Sequence, residues 1–164
     1  DPALTMITLH ADCMPLFLYA PDVNGGGMVH AGWKGTALRI GQRAVDKICA
    51  SLGGSPEVMF AAVGPCICQE HFEVDAPVVD RFREAFSDVA ELNRLPWLEY
   101  KPERQKYHID LSVMMAIQLM LAGLRPENIT LAGECTYSQK EDYYSYRRDG
   151  KRCGAMAGFL RVKG

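Results

Sequence analysis

Apolar residues in this chain recur at two alternating spacings, one suited to strands and one to helices. Short apolar runs at Leu4 to Leu9, Pro15 to Tyr19 and Met28 to His30 read as strands. The segment Asp22-Val23-Asn24-Gly25-Gly26-Gly27 reads as the turn between the last two. Ala37, Ile40, Gly41, Ala44, Val45, Ile48 and Cys49 then fall on one face at helical spacing and stop at Gly53-Gly54, which predicts a helix with a glycine C-cap. Val58 to Val63 is an unbroken apolar run ending at Gly64-Pro65, as expected of a strand buried on both faces. Asp75 is placed to cap a helix with Pro77 in its first turn and Val78, Val79, Phe82 and Phe86 facing inward. The polar stretch Ser87 to Gln105, with Pro96 and Pro102, predicts a loop with a short strand near Trp97 to Tyr100. Asp110 caps a nearly all-apolar helix through Met114, Ile117 and Leu121 to Gly123, which belongs in the core. Strands at Ile129 to Ala132 and Ala155 to Val162 complete an alternation that predicts a layered α/β (α+β) fold.

The chain has 164 residues, enough for one domain with one core. Eighteen Lys and Arg against twenty Asp and Glu give a net charge of −2, which removes the basic footprint of a general nucleic-acid binder. No apolar run approaches the roughly 18 residues that span a bilayer, so no membrane partner is expected. Six cysteines, at positions 13, 49, 66, 68, 135 and 153, are too sparse for a disulfide scaffold, and the expected compartment is the reducing cytoplasm. The chain opens on Asp1-Pro2 and runs straight into apolar residues, the expectation being a natural strand cut at its N-terminal edge or a fusion scar.

Two segments carry candidate chemistry. Ala11-Asp12-Cys13 directly follows a strand, and His30-Ala31-Gly32-Trp33-Lys34-Gly35-Thr36 joins another strand to the long helix, so Cys13 and His30 both sit at strand ends. A thiolate and an imidazole on neighbouring strands suit a Cys–His nucleophile pair or two ligands of a zinc ion. A buried cysteine beside an unrelated histidine is the bland alternative, and spacing leaves all three open.

The ordered strings Ala11-Asp12-Cys13-Met14-Pro15, His30 to Thr36, Gly64-Pro65 with Phe72-Glu73-Val74, Asp110-Leu111, Cys135-Thr136 and Ser145-Tyr146-Arg147-Arg148-Asp149-Gly150 span nearly the whole chain. Together they resemble the laccase-domain or polyphenol-oxidase family, also called the YfiH family of purine nucleoside phosphorylases. The resemblance implies a single laccase-like domain over residues 1–164, N-terminally incomplete, with a mixed β-sheet sandwiched by helices in a cysteine-hydrolase-type fold. It also implies a metal centre, usually zinc, held by Cys13, His30 and a histidine from an upstream segment. His10 and His71 are the weaker candidates for the third ligand. His71 closes a Cys66-x-Cys68-x-x-His71 spacing, stands where the family usually has cysteine, and reads first as a site wall or loop residue. Met115 and Ala155 replace an Asn and an Arg of the family pattern.

The implied chemistry is phosphorolysis of adenosine, inosine and methylthioadenosine, with adenosine deamination, at one small pocket. Asp12 is expected to shuttle a proton or to orient His30, and Lys34, Arg147 and Arg148 to bind substrate and phosphate. The amides at Thr36 and beyond are expected to receive phosphate at a helix start. Tyr143, Tyr144 and Tyr146 are candidates to stack on a base. The alternatives are copper-dependent oxidation of phenolic substrates, a Cys13–His30 hydrolase, and a non-enzymatic binding scaffold. Four histidines fall far short of the about ten that a multicopper oxidase needs. His71-Phe72-Glu73 and Pro65-Cys66-Ile67-Cys68 match a zinc-deaminase signature only by accident, since order and spacing are wrong. An exposed sheet edge makes a homodimer a further expectation.

Overall fold

The computed structural model describes residues 4–90 and 92–163; the chain's opening Asp1-Pro2-Ala3 lies outside them. In chain order the strands are β1 (Met6–His10), β2 (Met14–Ala20), β3 (Gly25–Ala31), β4 (Phe60–Val63), β5 (Glu73–Val74), β6 (Leu98–Lys101), β7 (Lys106–Ile109), β8 (Ile129–Leu131) and β9 (Met156–Leu160). The helices are α1 (Trp33–Ala37), α2 (Ile40–Leu52), α3 (Ala76–Ala85), α4 (Leu111–Leu121) and α5 (Tyr146–Asp149). A four-stranded sheet of order β3-β2-β4-β8 is mixed, antiparallel except for the β4–β8 pair. β1 and β9 form an antiparallel ribbon, and β5-β7-β6 a small antiparallel sheet.

Alternation along the strands sorts the main sheet into two faces. Met14, Leu16 and Leu18 of β2 and Ala61 and Val63 of β4 are buried under the helices. Phe17 and Met28 face the other way, onto Gly158 of the ribbon. The outer side of that ribbon is apolar and open: Ile7 pairs with Phe159, and Ile7, Leu9 and Phe159 are 58%, 61% and 62% exposed.

Three glycines expected to form a turn instead lie inside β3. The turn is made by Pro21–Val23 and by Asn24 in the left-handed region at φ +44°. A Cβ on Gly25 would fall 2.5 Å from Leu52 Cδ1 and one on Gly27 3.1 Å from Ile48 Cδ1, so the missing side chains let α2 lie close against the strand. β4 also departs from expectation: Ala61 and Val63 are buried but Phe60 and Ala62 are exposed, so only one of its faces is covered.

The long helix begins at Ile40 rather than Ala37 because Arg39, at φ +57°, separates it from α1. That strained residue is held by its Nε donating to the Ala85 carbonyl at 2.9 Å, by an ion pair with Asp88, and by the Phe86 ring 4.6 Å from its guanidinium. Gly53 ends α2 at φ +80° with its amide on the Cys49 carbonyl. Asp75 precedes α3 as expected but makes no side-chain cap; its carboxylate pairs with Lys106 instead. Asp110 does cap α4, its Oδ1 accepting from the amides of Ser112 and Val113 at 2.9 and 3.0 Å. Within the stretch read as loop, β6 forms near the expected strand and pairs with β7, which the polar sequence concealed.

Candidate active site

β1 ends on His10, and a bend over residues 11–13 carries the chain into β2. Asp12 makes that bend in the left-handed region at φ +80°, a conformation that aspartate tolerates better than most residues. Its backbone carbonyl accepts from the Ile67 amide at 3.1 Å. Its buried carboxylate accepts from the Thr136 hydroxyl and from the Arg147 amide, each at 2.7 Å. One residue thus ties together the β1–β2 bend, the segment after β4, the loop before α5, and α5 itself. The proton-shuttle expectation meets a carboxylate whose two oxygens are both engaged.

His30 is oriented by another group. Its Nδ1 lies 2.9 Å from the Leu9 carbonyl, and because a carbonyl only accepts, Nδ1 carries a proton, which in the neutral imidazole leaves Nε2 as the nitrogen with the lone pair. His10 stacks on that ring with centroids 4.8 Å apart and planes 13° apart. His10 itself donates from Nδ1 to the Cys13 carbonyl at 3.1 Å and accepts at Nε2 from the Thr8 hydroxyl at 2.6 Å. Burial, and then the nearby His30, hold its pKa below the ordinary histidine value. Both nitrogens are engaged, so His10 supports the His30 ring and has no lone pair left for a metal.

Pro15 pairs with His30 and Met14 with Ala31, so continuing the ladder sets Cys13 opposite Gly32. A Cβ on Gly32 would meet the Cys13 sulfur at 3.0 Å. By the alternation of the ladder, Cys13 falls at a position of the same parity as Pro15, the residue paired with His30. Burial, followed by the Asp12 carboxylate, pushes the Cys13 thiol up, so an ionised sulfur here calls for a cation.

Cys13 opens on a cleft of about 350 Å³ whose walls include Asp12, Trp33, Phe72, Tyr146 and Arg147. Arg147 reaches it with its guanidinium 5.3 Å from the Phe72 ring, Nη1 donating to the His71 and Glu73 carbonyls at 3.1 and 3.0 Å. Among the described residues its Nε and Nη2 make no hydrogen bond. Arg148 differs. Its Nη1 donates to the Thr136 and Tyr137 carbonyls, its Nη2 to the Tyr143 carbonyl and to Asp149, and its Nε to Asp149, at 2.8 to 3.0 Å. All five guanidinium donors are used, which leaves none for a substrate. Lys34 is exposed, with its ammonium 5.7 Å from the Trp33 ring centroid, and does not line the cleft. The Thr36 amide expected to receive phosphate donates to the Gly32 carbonyl at 2.9 Å. Of the tyrosines, Tyr146 lines the cleft, whereas Tyr144 packs over Gly154.

His71 is neither a bare wall nor a partner of Cys13. Its Nδ1 lies 3.2 Å from the Cys68 sulfur and 3.7 Å from that of Cys135. Among the described residues, these three form the one group of three Cys, His, Asp or Glu donors lying within 4.8 Å of one another, an arrangement suggestive of metal binding. Burial, then the hydrogen bond with Cys135, pushes Cys68 up to about 11. Burial also opposes ionisation of Cys135, but hydrogen bonds from Cys68 and Ser138 outweigh it and bring this thiol down to about 6. The Cys68-x-x-His71 spacing was visible in the sequence. Cys135 lies 64 residues beyond His71 and joins only through the fold.

The chain matches the family model described as multi-copper polyphenol oxidoreductase laccase over residues 1–163. It is 36% identical over 153 residues to the purine nucleoside phosphorylase YlmD of Bacillus subtilis, covering 93% of this chain and 53% of that protein. It is 39% identical over 156 residues to a purine nucleoside phosphorylase of Deinococcus radiodurans, covering 94% and 56%. The crystal structure of the Bacillus licheniformis hypothetical protein YfiH superposes with a TM-score of 0.89 at 29% identity, covering 99% of this chain and 59% of that one. The chain thus spans about half the length of the curated relatives it matches.

Proposed function

This chain belongs to the multi-copper polyphenol oxidoreductase laccase family, and on that premise we propose that it carries the cleft of a purine nucleoside phosphorylase. The substrates are adenosine, inosine and methylthioadenosine, with adenosine deamination at the same place and zinc at Cys13 and His30. The observation that carries this reading is the meeting of Cys13, Arg147, Trp33 and Tyr146 around one cleft of about 350 Å³, a size in the usual range for small-molecule sites.

The donor set fits an ion that prefers nitrogen and sulfur. Cys13 supplies a sulfur, and His30 presents Nε2 while its Nδ1–H is anchored on a carbonyl, the usual support of a ligating imidazole. Neither residue belongs to a three-donor group among the described residues, and the third donor in this reading is the further histidine that the family resemblance implies. The chemistry zinc supplies when bound is Lewis acidity and a water acidified toward a pKa of about 7.

The chain's own residues do the rest. Trp33 and Tyr146 offer rings for the purine face. Arg147 presents Nε and Nη2 as a fork to phosphate, holding the anion against the sugar. In phosphorolysis a phosphate oxygen bonds to C1′ as the C1′–N9 bond breaks, the base leaving with the electron pair and taking up a proton. Asp12 acts as a positioning residue, because its bond to the Arg147 amide fixes where the guanidinium stem begins.

The test is zinc-loaded protein with adenosine, with and without phosphate. Adenine release is expected only with phosphate, and equal release without it overturns the reading. Cys13→Ser is expected to lower metal content and turnover together, whereas a metal-free Cys13–His30 hydrolase would lose turnover with metal content unchanged. The four histidines are dispersed: His10 and His30 stack together, His71 sits with two thiols, and His108 is buried with its Nδ1 on the Gln69 carbonyl. Phenol oxidation by this chain is therefore expected to depend on copper added to the Cys13–His30 pair and to disappear on chelation.

A further inference from the structure

We propose that Cys68, His71 and Cys135 form a second metal site, separate from Cys13 and His30, that takes zinc(II). The claim does not rest on the nucleoside reading. Two sulfurs and one imidazole are a donor set for a borderline-soft ion with tetrahedral preference. Ligand distances of about 2.3 Å for sulfur and about 2.0–2.1 Å for nitrogen set the edge between a sulfur and a nitrogen ligand at about 3.6 Å. The two edges seen here, 3.2 and 3.7 Å, bracket that length without any ion to impose it.

The frame around the trio is built by backbone. A tight turn returns the His71 and Phe72 amides to the Cys68 carbonyl at 3.1 and 2.9 Å, which sets Cys68 and His71 on one side of the turn. The second loop is clamped to the first by a parallel backbone β-bridge between residues 66 and 135, the Cys66 amide donating to the Glu134 carbonyl and the Thr136 amide to the Cys66 carbonyl at 3.3 and 3.1 Å. The Cys68 amide points at the Cys135 sulfur from 3.4 Å, the outer-shell bond that steadies a thiolate ligand. The His71 ring is fixed by stacking on Tyr137, with centroids 4.3 Å apart and planes 20° apart. The Ser138 hydroxyl, 3.4 Å from His71 Nδ1, stands at the same corner, and three protein ligands leave one tetrahedral position for it or for water. Arg147 donates to the His71 carbonyl, so the proposed ion sits one residue from the group that reaches the cleft.

The experiment is anaerobic cobalt(II) titration of the reduced protein carrying Cys13→Ser. A sulfur-to-cobalt charge-transfer band with the strong visible bands of tetrahedral cobalt is expected, displaced by one equivalent of zinc. Adding Cys68→Ser or Cys135→Ser is expected to cut the charge-transfer intensity by about half and to weaken binding at least about tenfold. On the unsubstituted protein, zinc is expected to slow alkylation of Cys68 and Cys135, read by peptide mass, so the test stands even if a variant fails to fold. Absence of the band, a band unchanged by either substitution, or alkylation of both thiols unaffected by zinc overturns the site. So does a Cys68–Cys135 disulfide that zinc does not prevent in the presence of thiol reductant.

Discussion

Two adjacent arginines with the same charge have different uses, and the difference lies in how many donors remain. Among the described residues Arg147 leaves Nε and Nη2 without a hydrogen bond, while Arg148 spends all five donors on three carbonyls and Asp149. Arg147→Ala is therefore expected to raise the KM for phosphate by about tenfold or more, with a smaller fall in the urea midpoint than Arg148→Ala because only two carbonyl bonds and the Phe72 contact are lost. Arg148→Ala is expected to do the reverse, lowering the urea midpoint while the protein that remains folded keeps its phosphate KM. At this scale the sequence was legible where one segment carries its own meaning. The Ala11-Asp12-Cys13 and His30-Ala31-Gly32-Trp33 strings single out Cys13 and His30 as candidates, and the β2–β3 register extended by one residue sets them at positions of matching parity. It was illegible where a role depends on what lies opposite. Nothing in Arg147-Arg148 says which guanidinium turns toward the cleft, and nothing near Cys68 announces Cys135.

Among the elements, helices with a strong apolar period were readable, and so was the Asp110 cap. Strands were readable except where glycine or charge disguised them. Gly25-Gly26-Gly27 looks like a turn because glycine favours turns, yet here it leaves room for α2 on one face and for Leu160 and Val162 on the other. β7 hides behind the polar side chains of Lys106 and His108, with its hairpin partner β6 on one edge and the sequence-distant β5 on the other. The helices are joined by a polar group the hydrophobic pattern does not show. Fully buried Gln118 of α4 accepts the Gly41 amide at 3.0 Å and donates to the Thr36 carbonyl at 2.9 Å, bridging three helices. Gln118→Leu strands the Gly41 amide and is expected to cost about 1–3 kcal/mol in urea denaturation, with an unchanged m-value.

Across the whole molecule, α2 and α4 cover one face of the mixed sheet and the β1–β9 ribbon lies on the other, while His30 sits near the end of β3 and Cys13, Cys68, His71 and Cys135 come from the segments that follow or join strands. No described helix is long and apolar enough to cross a membrane. The outer side of the ribbon leaves Ile7, Leu9 and Phe159 in water, a contiguous apolar strip of the kind that binds hydrophobic dyes. Ile7→Thr with Phe159→Thr is expected to lower anilinonaphthalene sulfonate fluorescence of the native chain while shifting the urea midpoint little, since both side chains are already largely exposed.

Asp12 has a consequence for how genetic data on this chain are read. Its carboxylate holds Thr136 and α5, and its carbonyl holds the segment after β4. A replacement there unfastens several loops at once. In a growth-based mutational scan this position will score as intolerant alongside Cys13, but the score will register lost abundance of the folded chain. Essentiality and reactivity separate at Asp12 only when protein level is counted beside turnover.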